Sequence, residues 1–117
     1  MSDRNNTPIV VKSKELALEI IKLCKKLRDE KREYSLADQM LRSGTSVGAN
    51  VKEAIRGISD KDMYNKFGIS LKEASETEYW LEIISESGFL TKGEIDKAYK
   101  LCQECLKLLI TILKHKI

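Results

Sequence analysis

From Ser13 onward the apolar residues Leu16, Ile20, Leu23, Cys24 and Leu27 recur three and four positions apart, the spacing of one face of an α-helix. The pattern predicts a first helix over about residues 13–31, with Lys22, Lys25, Lys26 and Asp29 on its polar side. Ahead of it, the polar stretch MSDRNNTP and the short run Ile9-Val10-Val11 read as a flexible arm or a small contact segment over residues 1–11. Ser35 followed by Asp38 has the form of a capping box and opens a second helix over about 36–57. Ser59 with Asp62 repeats the signal for a third helix over 60–87, and Thr91 with Glu94 for a fourth over 92–115. Gly88 lies between the last two, where a residue free to take positive φ stops a helix. Four helices on short connections predict an all-α fold: an up-down-up-down antiparallel four-helix bundle, one domain spanning residues 1–117.

The second helix carries the stretch RSGTSVGANVKE, residues 42–53, whose glycines and hydroxyls resemble a phosphate-holding loop. At 100° per residue, however, Leu36, Ala37, Met40, Gly44, Val47, Gly48, Val51, Ala54, Ile55 and Ile58 share one side, and Arg42, Ser46, Ala49, Glu53 and Arg56 the other. Gly44 and Gly48 therefore sit in the apolar face and form a packing notch for a neighbouring helix. A nucleotide-hydrolase loop needs a strand-turn-helix setting and a Gly-Lys-Ser/Thr sequence, and neither is present.

The third and fourth helices have two apolar sides. Met63, Phe67, Leu71, Ala74 and Leu81 make a core stripe, whereas Ile69, Trp80 and Ile83, with Tyr79 at the edge, make another. In the fourth helix Ile95, Ala98, Tyr99, Cys102, Leu106, Leu109 and Leu113 form the central face, and Leu101, Leu108 and Ile112 extend it to one flank. One small core covers a single arc per helix, so the surplus residues Ile69, Tyr79, Trp80, Ile83, Leu101, Leu108 and Ile112 are read as a self-association surface. Glu78 falls in the core stripe of the third helix; there a carboxylate needs a cationic partner, a hydrogen bond from Asn50 or Tyr99, or a place at the bundle's edge.

Charge adds little. Twenty-one Lys and Arg against eighteen Asp and Glu give +3, with the signs interleaved, which is weak evidence for an anionic partner. The candidate contacts to RNA or DNA are Lys22, Lys25, Lys26, Arg42, Lys52 and Arg56, which would hold phosphates rather than read bases. Cys24, Cys102 and Cys105 are read as buried small hydrophobes, because His115 lies too far along the last helix from Cys105 to share an ion with it. No metal, no cofactor and no enzyme class follows from the sequence. The longest apolar run is far short of the ~20 residues of a membrane helix, no leader segment is visible, and a reducing cytoplasm is expected.

Two stretches carry a likeness: LADQMLRSGTSVGANVKEA, residues 36–54, and KFGISLKEASETEYWLEII, residues 66–84, with the Gly88-Phe89-Leu90 connection. In order and spacing they resemble the bacterial four-helix-bundle family called ribosomal RNA intervening-sequence proteins, over about residues 12–113. The family's polar pattern falls on Arg42, Ser43, Asn50, Glu53, Glu73 and Glu78, followed by Tyr79 and Trp80. Many relatives have Ala-Glu-Gly where this chain has Lys52-Glu53-Ala54. A member of the same superfamily, the accessory protein of diversity-generating retroelements, implies a ring-like pentamer that binds nucleic acid and a reverse transcriptase. The resulting expectation is a non-enzymatic homo-oligomeric bundle, a nucleic-acid-associated accessory factor; the alternative is an adaptor that binds only another protein.

Overall fold

The structure, a computed structural model, describes residues 7–115. It contains α1 (Pro8–Lys31), α2 (Ser35–Ile55), α3 (Asp60–Glu86) and α4 (Lys92–Lys114). Each helix packs on its chain neighbours and α4 closes against α1, giving the expected antiparallel four-helix bundle, 45 × 21 × 20 Å. Among the described residues no helix is long and apolar enough to cross a membrane.

Helix α1 begins five residues earlier than its apolar spacing suggests. Pro8 occupies the first turn, where its missing N–H costs nothing and its fixed φ already suits a helix. Ile9 is buried at 4% exposure. The segment 8–11 expected as an arm is thus the first turn of the bundle, and only residues 1–6 of that arm lie outside the described residues.

The start of α2 also differs from its sequence signal. Ser35 lies inside the helix, Tyr34 stands at the N-cap and makes no side-chain capping bond. Glu33 Oε1 instead accepts from the Leu36 N–H at 2.9 Å, while Asp38 reaches across to Arg28 of α1. At the far end α2 stops at Ile55, so Ile58, assigned to its apolar face, is out in the loop and 97% exposed.

The other two signals act as expected. Ser59 accepts from the Asp62 N–H at 3.1 Å. At α4 the capping box is reciprocal: Thr91 Oγ1 accepts from the Glu94 N–H at 3.1 Å and Glu94 Oε1 accepts from the Thr91 N–H at 2.9 Å. Gly88 takes φ 85°, turning the chain so that the Phe89 N–H reaches the Ile84 carbonyl at 3.2 Å and Leu90 plugs the core at 2% exposure.

One contiguous core runs the length of the bundle. Leu16, Ile20 and Leu27 of α1, Met40 and Val47 of α2, Leu81 and Ile84 of α3, and Leu109 of α4 are essentially inaccessible to solvent. Burying each such side chain favours folding by about 1.5–3 kcal/mol.

Gly44 is the notch its place on the wheel predicts. A Cβ there would lie 2.8 Å from both Cγ1 and Cγ2 of Ile20, so a side chain on α2 is replaced by the branched side chain of α1. Gly48 is less crowded, with Ser13 at 3.4 Å from such an atom.

Candidate functional site

Four of the polar residues of the sequence signature, Arg42, Ser43, Glu53 and Glu73, meet at the seam between α2 and α3. Arg42 binds Glu73, with its Nη1 3.2 Å from Oε2, and also Glu76. Thr77 Oγ1 bonds Ser43 Oγ at 2.9 Å, and Ser70 Oγ donates to the Val47 carbonyl at 2.8 Å, all in the interior. Glu53 accepts from Lys66 at 3.0 Å. Asn50 alone turns back on its own helix, donating to the Ser46 carbonyl at 2.8 Å. Small residues and hydroxyls let these two helices approach closely, and each hydroxyl in the gap is bonded across it or to the preceding turn, which removes the cost of burying it. No buried side-chain nitrogen or oxygen among the described residues lacks a partner.

A second polar seam joins α3 to α4. Glu78 is half-buried and accepts from Gln103 Nε2 at 2.6 Å, so the carboxylate placed in the core stripe in fact reaches the bundle's edge. Tyr99 donates to Glu82 rather than to Glu78, at 3.1 Å. Its phenol is held above the usual range, first by burial and then by that bond.

The cysteines lie inside the protein. Cys24 Sγ donates to the Ala37 carbonyl at 3.3 Å and Cys102 Sγ to the Ala74 carbonyl at 3.2 Å. Burial pushes Cys24 up to about 11 and Cys105 up to about 12, and raises Cys102 as well. At neutral pH they are thiols in van der Waals contact, poor nucleophiles and poor ligands. Among the described residues no group of three His, Cys, Asp or Glu is arranged to hold a metal ion.

The six basic residues proposed to meet phosphates do not form one patch. Ile20 against Gly44 and Cys24 against Ala37 set the α1/α2 register. Lys22, Lys25 and Lys26 therefore lie towards the α1–α2 loop, while Lys52 and Arg56 lie towards the other end. Arg42 and Arg56 alone are separated by about 21 Å of helical rise. Several of these charges also have partners within the protein: Lys26 binds Glu94 of α4, Lys22 is 3.3 Å from Glu19, and Arg42 serves the α2/α3 seam.

The Lys26–Glu94 pair has a pH signature. Lys26 and the α4 N-cap together hold the Glu94 carboxyl down to about 2, from a usual value near 4.5. Because the folded value is the lower one, the stabilisation is complete above about pH 4.5 and is lost as pH falls towards 2. Glu94→Gln is expected to flatten the acid limb of the stability profile within that window, measured by urea unfolding at a series of pH values; an unchanged slope between pH 4.5 and 2.5 would contradict it.

The surplus apolar residues divide into three groups. Ile69 and Tyr79 are 42% and 54% exposed on the outside of α3, with half-buried Trp80 and Ile83 beside them. The Tyr79 ring stands edge-on to Trp80, centroids 5.3 Å apart, and Trp80 Nε1 donates to Glu76 at 2.9 Å. Leu108 and Ile112 are half-buried and line an apolar groove of about 340 Å³ with Ile9, Ile55, Met63 and Phe67. Leu101 departs from the expectation: it is 5% exposed and belongs to the core, because α4 turns that flank towards the interior.

One apolar row was missed. Val11, Leu18 and Ile21 are 40%, 55% and 47% exposed on α1. Their seven- and three-residue spacing, on the side away from Leu16, Ile20 and Leu27, is a signal the sequence does carry. Beside this row Val10, Ser13 and Ala17 of α1 meet Thr45, Gly48 and Ala49 of α2 around a shallow groove of about 280 Å³, edged by Lys14 and Lys52.

Fold and site together define a helical bundle whose signature residues brace its own seams and whose outer helix faces carry unspent apolar surface. The family described as 23S rRNA-intervening sequence protein matches residues 5–111, and the chain belongs to that family. It is similar to a crystal structure of a protein with unknown function from the S23 ribosomal protein family of Bacteroides thetaiotaomicron VPI-5482. The two share 43% identity over 91% of this chain and 98% of the other, with a TM-score of 0.88. Among curated proteins none matches the chain.

Proposed function

We propose that the protein is a non-enzymatic, self-assembling helical scaffold whose working form is a homo-oligomer. The observation that carries this reading is the pair of apolar rows, Val11, Leu18 and Ile21 on α1 and Ile69 and Tyr79 on α3, left 40–55% exposed outside an already continuous core. Side chains of this kind lower the free energy of a protein only when something covers them, and aromatic residues are favoured at the centres of such contacts. By analogy with the retroelement accessory protein of the same superfamily, the assembly is a ring of five. Light scattering across a wide dilution series is expected to give a mass several times 13.4 kDa; a single-chain mass at every concentration overturns the proposal.

Nucleic-acid association is the second reading. What favours it is the position of Lys52 and Arg56 towards one end of the bundle, both exposed, where a ring would repeat them around one rim. Salt-dependent binding of a mixed-sequence RNA, weakened when Lys52 and Arg56 are replaced by Gln, supports this reading. Absence of binding at low salt leaves the scaffold as a purely protein-binding one.

A further inference from the structure

We infer that two copies of this chain meet end to end, the Ile58 side chain of each seated in an apolar groove at the end of the other. The two ends of the bundle are closed differently. At the end formed by the α3–α4 connection, Leu90 turns inwards and plugs the core at 2% exposure. At the opposite end the α2–α3 loop also carries an apolar residue, but Ile58 points outwards and is 97% exposed. The core beside it is left open: the groove of about 340 Å³ has Ile9 of α1, Ile55 of α2, Met63 of α3 and Ile112 of α4 in its wall. Among the described residues that line it, Thr7 alone is polar. Because all four helices contribute, the groove opens along the bundle axis and not on one flank.

The loop holds Ile58 at the rim of that groove. A Cβ at Gly57 would lie 3.1 Å from the Met63 nitrogen, so the loop is folded closely onto the start of α3. Ser59 is fixed by its capping bond to the Asp62 N–H. Ile58 stands between these two anchored residues, and Ile55 and Met63 on either side of the loop line the groove. Its backbone is therefore in place before any contact forms, which lowers the cost of association.

A knob and a hole side by side on one surface complement a second copy of that surface. A two-fold axis between them sets each Ile58 over the other copy's groove, so the contact is isologous and closes at two. Each copy thereby buries an isoleucine that its own fold leaves in solvent. The charges bordering this end, Arg56, Asp60, Lys61, Asp62 and Lys114, are of both signs, and Lys66 is already held by Glu53, so like charges do not face each other throughout. The end measures 21 × 20 Å across, half the ~800 Å² that each partner buries in a stable complex. Between two lone chains the contact is weak. Where the outer helix faces gather copies side by side, several ends engage together and the weakness is overcome.

The test has two arms, both on the full-length chain with far-UV circular dichroism verifying the fold. In the first, light scattering at one high concentration is expected to give Ile58→Asp half the mass of the wild type; equal masses overturn the inference. Should the outer-face assembly fail instead, the wild type is a pair that Ile58→Asp splits into single chains, so the two failures are distinguishable. The second arm uses the burial of Cys24, Cys102 and Cys105, which leaves an introduced surface cysteine as the reactive thiol. Ile58→Cys mixed with Pro8→Cys and treated with a short bifunctional maleimide is expected to yield a linked species of twice 13.4 kDa containing both chains. Ile58→Cys mixed with Tyr34→Cys, exposed at the opposite end, is expected to yield none. Equal linking in the two mixtures, or linking in neither, overturns the contact. A groove that belongs to the chain's own terminal residues or to another protein gives that second result, with the mass of Ile58→Asp unchanged.

Discussion

Replacing Gly44 by Val lowers the stability of the fold by about 2–3 kcal/mol, the usual cost of forcing extra carbons into a filled core. The reason is geometric. Even the first carbon of a new side chain would come within 2.8 Å of two Ile20 carbons, and Ile20 is wholly buried and branched at Cβ, so it has no free rotation with which to withdraw. The modest gain in helix propensity on losing a glycine, under about 1 kcal/mol, does not offset this. Ile20→Ala alone removes the filler instead and costs about 2–5 kcal/mol. Combining the two moves the missing carbons from one helix to the other at nearly constant volume, and the double variant is expected within about 1.5 kcal/mol of the wild type. Urea unfolding of all four proteins measures the coupling; purely additive losses would mean that Gly44 and Ile20 do not share one space.

Leu101→Ala is expected to cost about 2–5 kcal/mol of folding stability, because it empties a buried site between helices. Tyr79→Ala, measured at a dilution where chains are separate, is expected to change stability by less than about 1 kcal/mol, since its ring is mostly in solvent. Periodicity alone put the two residues in one class, as surplus apolar surface. Thermal and chemical unfolding separate them, and a Leu101→Ala protein as stable as its parent would return that residue to the outside.

The bundle itself is legible in the sequence because its causes are local. Apolar residues three and four apart, Ser59 and Thr91 three residues ahead of acids, and Gly88 free to take positive φ each act within one or two helical turns. The failures share a cause as well. Ser35 with Asp38 has the same local form as the two working caps, yet Asp38 is drawn away by Arg28 of the preceding helix and Glu33 does the capping. The start of α1 escaped the same reading because Ile9 is recruited into a core formed by residues remote in sequence.

The candidate site was half legible. Arg42, Ser43, Glu53, Glu73 and Glu78 stand out as a pattern, but only their partners reveal what they do. Those partners lie 13–34 residues away, at Lys66, Thr77, Gln103 and across the α2/α3 seam, and no local spacing encodes them.

The chain on its own determined four helices, their order, and a glycine notch facing inwards, since backbone propensity, capping and amphipathic period are properties of neighbouring residues. Which apolar side chains face solvent, which carboxylate meets which cation, and whether six basic residues gather or scatter were decided only when the helices packed. Those outcomes depend on the rotation of each helix about its axis and its register against the next, and both are set by the fit of side chains such as Ile20 into Gly44.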